Sequence, residues 1–308
     1  MSKHYRKENN CLNCGSTVQG KFCSNCGQEN LEIRENFSHL MNHAISDYFH
    51  FDHQFFNTLK PLLFKPGFLT NEYMAGKRVK YLHPVKMYIF ISVVYFLLAF
   101  QQRETQAKVN FNIKVPTEKQ ANKQSNTKSE SPDSTYEQYQ ASQLKLPASK
   151  RDGAIVHWGT KKAYAYSKKY GKNSFEVFQE QVEHNIPKSM FVLMPLFALG
   201  LQIAFRKNKK FYVEHLIYSF HFHCFLFLLS SVVIALALLL PLSWTAAGGV
   251  LAILEFVFVL IYFYKSLRVV YHRSRFRTLT KMIGITLSYL IMAVICLWGV
   301  VVLTFSLS

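Results

Sequence analysis

Residues 216–240 read LIYSFHFHCFLFLLSSVVIALALLL, 25 positions without an Asp, Glu, Lys or Arg. A helix of that length rises about 37 Å, enough to cross the roughly 30 Å of hydrocarbon in a bilayer. Four weaker windows flank it. Met282–Thr304 closes the chain, and Val250–Tyr264 is short and carries Glu255 inside. Pro187–Phe205 has Pro187 where a first helical turn is expected and Pro195 where a kink is expected. Val85–Phe100 is the weakest, with Tyr81, Tyr88 and Tyr95 placed to anchor or extend it. The expected fold class is therefore an all-α integral membrane protein with about five transmembrane helices.

The rest of the chain is polar and basic. Its 308 residues include 36 Lys and Arg against 18 Asp and Glu, a formal charge of +18, which excludes an acidic disordered tail protein. With six Cys in all, a small disulfide scaffold is excluded as well. No cleavable secretory signal is expected in residues 1–83. The basic residues cluster beside the spans: Lys77, Arg78, Lys80 and Lys86 at the first; Arg206, Lys207, Lys209 and Lys210 before the third; Lys265, Arg268, Arg273, Arg275, Arg277 and Lys281 before the fifth. The turn Pro241–Gly249 carries no charge. Because Lys and Arg in short loops resist translocation, this pattern predicts a cytoplasmic N-terminus and five crossings. Attraction to anionic head groups accounts for such clusters, and no nucleic-acid motif accompanies them, so the expected partner is the lipid bilayer and no nucleic acid.

Five regions follow from these boundaries: a cysteine module at 1–30, an amphipathic helix and a basic segment leading into the membrane at 31–83, a first span at 84–101, an extracytoplasmic linker at 102–186, and a four-helix membrane region at 187–308. Residues 103–150 are rich in Gln, Lys, Ser, Asn and Thr and are expected to be largely disordered, since they offer too little apolar surface to offset the cost of ordering. Residues 160–186, with Phe175, Phe178 and Val182, are expected to form a helix leading into the second span.

The cysteine module repeats one motif, Cys11-Leu12-Asn13-Cys14-Gly15 and Cys23-Ser24-Asn25-Cys26-Gly27. Each C-x-x-C turns two thiolates toward one ion, and the glycine permits the tight turn that follows. Four sulfurs form the tetrahedral set that zinc prefers in closed structural sites. Iron bound by the same ligands, redox disulfides and unliganded thiols are the alternatives. A stretch of about 30 residues does not fold on a core alone without such a clip.

Between Asn36 and Leu59 the residues follow a helical period. His43, His50, His53 and Asn57 fall within about 40 degrees of His39, while Phe37, Leu40, Met41, Ile45, Tyr48, Phe51 and Phe55 take the opposite side. One reading of this stripe is a metal or proton site, since His39 and His43 are spaced to share an ion. The other is a membrane-surface helix whose polar face uses His. In the third span, Glu214-His215 stands at the cytoplasmic mouth and His221-Phe222-His223 lies one to two turns inside. Ionisable groups in hydrocarbon need a partner or a polar cavity, and Glu255 is a natural partner. His221 and His223 point about 160 degrees apart, so they cannot chelate as one unit on a straight helix. A buried metal site, a proton relay and a structural hydrogen-bond network all remain open. Cys224 and Cys296 read as buried small apolar residues. A histidine-rich di-iron oxygenase lacks its paired His-His elements here, and H-E-x-x-H is missing.

The combination resembles a bacterial family of multi-pass proteins, domain-of-unknown-function family 3667. The residues that carry the resemblance are the two cysteine knuckles with Gly20-Lys21-Phe22 and Gln28; the His39–His53 helix; Lys65-Pro66-Gly67, Glu72-Tyr73, Gly76-Lys77-Arg78, Tyr81 and Pro84; and Glu214-His215-Leu216 with His221-Phe222-His223. The resemblance implies an inner-membrane protein with an N-terminal zinc ribbon and no established activity. The leading functional expectation is a membrane-anchored interaction or assembly protein whose ribbon docks a cytoplasmic protein. Proton-coupled or metal transport through the Glu/His cluster is the second expectation, and a metal-dependent membrane enzyme the third.

Overall fold

The computed structural model describes residues 5–6, 8–30, 54–113, 136–147, 150–239 and 245–307. Nine helices run through them: α1 (Gln54–Phe64), α2 (Phe68–Met74), α3 (Pro84–Ile113), α4 (Tyr136–Lys145), α5 (Ala154–Tyr170), α6 (Ser174–Ala204), α7 (Tyr212–Leu239), α8 (Thr245–Tyr271) and α9 (Arg275–Leu307). Five stretches are long and apolar enough to cross a membrane: Pro84–Arg103, Ser174–Ala204, Tyr212–Leu239, Gly248–Tyr271 and Arg275–Ser306. The all-helical fold with five spans is thus as expected. The histidine stripe at His39, His43, His50 and His53 lies outside the described residues.

The helices extend past the apolar windows. Pro84 opens α3 at the first helical position, where its missing N–H costs nothing, but α3 continues to Ile113. Gln101-Gln102-Arg103-Glu104 and Gln106-Ala107-Lys108 are strong helix formers, so a helix started in the membrane propagates through them. Pro187 is not in a first turn, because α6 begins at Ser174 and carries both Pro187 and Pro195 in its interior. Part of the stretch expected to lack order is helical as well. α4 is the clearest case, and its order comes from aromatic contacts that composition does not reveal.

The chain divides into two compact units. In the first, residues 1–109 and 191–292, helices α1 and α2 form a short hairpin packed against α7 and α8. Its turn is Lys65-Pro66-Gly67, and Gly67 adopts φ 77°, a left-handed conformation that suits glycine. The backbone there presses on α8, since a Cβ on Gly67 would lie 3.0 Å from both Ser266 O and Val270 Cγ2. Tyr262 donates its hydroxyl to Leu62 O at 2.7 Å, and Asn71 Nδ2 donates to Val269 O at 3.2 Å. Gln54 Nε2 to Val79 O (2.7 Å) and Leu82 N to Thr58 Oγ1 (2.9 Å) tie α1 to the segment that leads into α3. Phe55, expected on the apolar side of its helix, meets Phe90 edge-on at 5.3 Å.

Aromatic rings join the spans of this unit. Tyr95 of α3 stacks on Phe227 of α7 at 4.8 Å, and Phe225 of α7 on Tyr262 of α8 at 3.4 Å. Phe197 of α6 lies parallel to Phe222 of α7 at 5.8 Å. Near Pro195, α6 also accepts hydrogen bonds from α7 and its first turn, Ser219 Oγ to Met194 O (3.1 Å) and Tyr212 OH to Pro195 O (3.0 Å).

The second unit comprises residues 110–190 and 293–308. Tyr136 and Tyr139 of α4 lie against His157 and Tyr164 of α5, and Tyr139 donates to Asp152 at 2.7 Å. Buried Tyr166 of α5 faces Phe178 at 5.8 Å, and Phe178 meets Phe305 at 4.3 Å.

Two glycines separate backbone strain from helix propensity. Gly67→Ala is expected to cost about 1–3 kcal/mol, because it combines an unfavourable φ with a crowded site. Gly200→Ala, whose Cβ would meet only ordinary contacts at 3.8 Å, is expected to be neutral or to stabilise by up to about 1 kcal/mol. Thermal unfolding of the detergent-solubilised protein should show the two midpoints moving apart; a shift of the same sign and size would contradict this packing.

Candidate functional site

The two cysteine knuckles repeat each other bond for bond. Cys11 N donates to Ser16 O and Cys23 N to Gln28 O, both at 2.9 Å; Gly15 N donates to Cys11 O and Gly27 N to Cys23 O, again at 2.9 Å. Gly15 and Gly27 take φ 78° and 73°, as the sequence requires. Paired bridges Asn10–Thr17 and Phe22–Glu29 continue the repeat. The four sulfurs of Cys11, Cys14, Cys23 and Cys26 all lie within 4.8 Å of one another, with Cys11–Cys26 at 3.5 Å and Cys14–Cys23 at 3.6 Å. A tetrahedron with metal–sulfur bonds of about 2.3 Å has edges of about 3.8 Å, so this donor set fits a four-thiolate metal site.

Beyond the sulfurs the cysteine module has almost no core: its buried cluster is Cys11, Val18 and Cys23, with Cys26 against it. An ion that clips the knuckles therefore supplies order that packing does not. The thiols differ in the metal-free state. The Ser16 hydroxyl and amide beside Cys14 hold its thiol down to about 6, whereas burial pushes that of Cys26 up to about 12. Four thiolates leave no open position, so the arrangement suits a structural ion rather than a catalytic one.

The cysteine module is fastened to the membrane part through Gln28. This side chain is 7% exposed; its Nε2 donates to Gly76 O at 2.7 Å, and its Oε1 accepts from Arg78 N at 3.2 Å. Leu12 packs against Gly76 so closely that a Cβ there would sit 2.5 Å from Leu12 Cδ1. Glu72 and Lys77 pair at 2.9 Å beside this contact.

In the third span the three imidazoles turn to three different neighbours. His215 Nδ1 meets Tyr271 OH of α8 at 2.7 Å, and Tyr271 stacks on Phe205 at 3.8 Å. His221 Nδ1 meets Thr70 Oγ1 of α2 at 3.0 Å. His223 Nδ1 lies 2.8 Å from Ser219 O, which only accepts, so Nδ1 carries the proton and Nε2 accepts from Tyr289 OH of α9 at 3.1 Å. His221 and His223 thus face opposite ways, as their spacing implies. All three imidazoles are buried.

Neither carboxylate joins them. Glu214 caps α7: its Oε2 accepts from Phe211 N at 2.6 Å and its Oε1 meets Lys210 Nζ at 3.3 Å, the reach-back of a third-position Glu in a capping box. Glu255 does not partner a histidine, because the Ser230 hydroxyl donates to it across the α7–α8 contact. Among the described residues, the four cysteines form the group of three or more Cys, His, Asp or Glu that could hold a metal. Sequence reasoning missed Thr70, Tyr271 and Tyr289, and gave Gln28 no role beyond the family resemblance. For Tyr271 and Tyr289 the available signal was a hydroxyl inside an apolar span, which needs a partner in hydrocarbon.

Removing one hydroxyl tests this network. Tyr289→Phe leaves His223 Nε2 without its donor and Thr70→Val leaves His221 Nδ1 without its partner, so each is expected to cost about 0.5–2 kcal/mol. Thermal unfolding in detergent reads the loss, and metal content should stay unchanged; a drop in bound metal would instead assign these histidines to a metal site.

Residues 52–96 match the model of a family described as a protein of unknown function, DUF3667. They hold α1, α2 and the first turns of α3, with Thr58, Gly67, Thr70 and Tyr88 among them. No curated protein and no solved structure matches the chain. Over the hairpin and the start of the first span, then, the chain is similar to the DUF3667 family.

Proposed function

We propose that this is a bacterial inner-membrane protein with its N-terminus in the cytoplasm, whose ribbon holds one structural zinc and docks a cytoplasmic protein to the membrane. The observation that carries the reading is the fastening of the ribbon by Gln28 to Gly76 and Arg78, just ahead of the first span. A ribbon held in that way presents a fixed surface beside the bilayer, and Phe22, 58% exposed next to Lys21, offers the aromatic anchor that protein interfaces favour. The basic turns beside the spans support the orientation, and a reducing cytoplasm keeps the four thiols available to zinc. Transport or catalysis through the third-span histidines is less well supported, since each of those three imidazoles meets a different hydroxyl.

Metal analysis of the purified protein is expected to find one zinc per chain, lost in a Cys11→Ser, Cys14→Ser variant and released on acidification as the thiolates protonate. A photo-crosslinker at position 22 should capture a protein in intact cells. That product should disappear with the cysteines and persist in a His221→Phe variant, which should affect mainly stability. A ribbon-deleted protein that retains full activity, or a ribbon labelled from the outer side of intact cells, would overturn the proposal.

A further inference from the structure

The last two helices leave an open groove of about 560 Å³ between them, with Ile261 and Tyr264 on α8 and Arg275, Phe276, Leu279 and Met282 on α9 among its walls. Phe276 is 76% exposed, Ile261 46% and Leu279 44%, so the apolar wall is open to whatever surrounds the spans. From Arg275 to Met282 the wall runs about 10 Å along the helix, most of the depth of one leaflet. Its charged member stands at the outer end. Arg275 makes no hydrogen bond or ion pair among the described residues, whereas nearby Arg273 is engaged by Asn208 at 2.8 Å. Lys265, Arg268, Arg277 and Lys281 lie close in sequence, and residues 256–308 contain no Asp or Glu.

We propose that this groove is a binding site for an anionic phospholipid, with one acyl chain against Tyr264, Phe276 and Leu279 and the headgroup phosphate on Arg275. Charge complementarity selects the occupant. A cation with no carboxylate partner among the described residues, at the end of a span, favours an anion from outside the chain, and the apolar wall below it favours one that carries a tail. A zwitterionic lipid would bring its own cation into a region already crowded with positive charge, which disfavours it. A soluble anion would leave the wall unused.

The test uses the full-length protein in detergent, with phosphatidylglycerol and phosphatidylcholine supplied together and retained lipid counted by native mass spectrometry. Wild type should keep phosphatidylglycerol over phosphatidylcholine by about fivefold or more, the factor expected of one well-placed basic residue. Arg275→Gln should bring the ratio close to one, while Arg275→Lys and Arg277→Gln should preserve it. Leu279→Trp, which fills the groove, should release phosphatidylglycerol although Arg275 is intact. Equal losses in Arg275→Gln and Arg277→Gln would mean diffuse surface charge and overturn the site. Retention by Leu279→Trp, or displacement of the lipid by inorganic phosphate alone, would show that the groove takes no part and overturn it as well.

Discussion

Hydrocarbon offers no hydrogen bonds, so any polar group inside a span has to find its partner within the protein. Helix α7 carries this constraint for the whole first unit. It is the most apolar stretch of the chain, yet it buries three imidazoles, and each reaches a hydroxyl on a different element: Tyr271 of α8, Thr70 of α2 and Tyr289 of α9. Individual bonds of this kind are worth only about 0.6 kcal/mol on average in a membrane. Their value here lies in direction. Stacked Phe and Tyr rings can slide and repack, whereas an imidazole and a hydroxyl meet in one geometry.

The hairpin α1–α2 owes its position to this arrangement. Thr70–His221 and Leu62–Tyr262 hold it against α7 and α8 about nine residues in from the ends of those spans. At its turn the absence of a side chain on Gly67 lets the backbone approach α8. The faces turned away show Phe56 and Phe64, 75% and 73% exposed, beside Lys60 and Lys65. Aromatic and basic residues together suit the boundary between headgroups and acyl chains. The segment that follows reaches the ribbon through Gln28, whose own carbonyl closes the second cysteine knuckle. The four sulfurs are therefore linked, through one side chain, to the backbone that leads into the first span.

Composition and spacing were enough for the spans, the two knuckles and the opposed directions of His221 and His223, because each depends on residues near one another in the chain. Span ends were less legible: basic and polar residues extend a helix without contributing to an apolar window, so α6, α8 and α9 all outrun their hydrophobic cores. The order of α4 was hidden for a related reason, since Tyr136 and Tyr139 also rely on contacts with α5, which lies farther along the chain.

The amino-acid sequence alone determined that this is a helical membrane protein with a four-Cys cluster near its N-terminus, since length, hydropathy and a repeated C-x-x-C are local properties. Tertiary structure alone decided what the polar residues of the third span do. Glu214 became a cap, Glu255 met Ser230, and the three histidines separated onto three neighbours. A hydrogen bond between positions 70 and 221, or 28 and 76, depends on which helices come to lie side by side, and no periodicity within a single element encodes that.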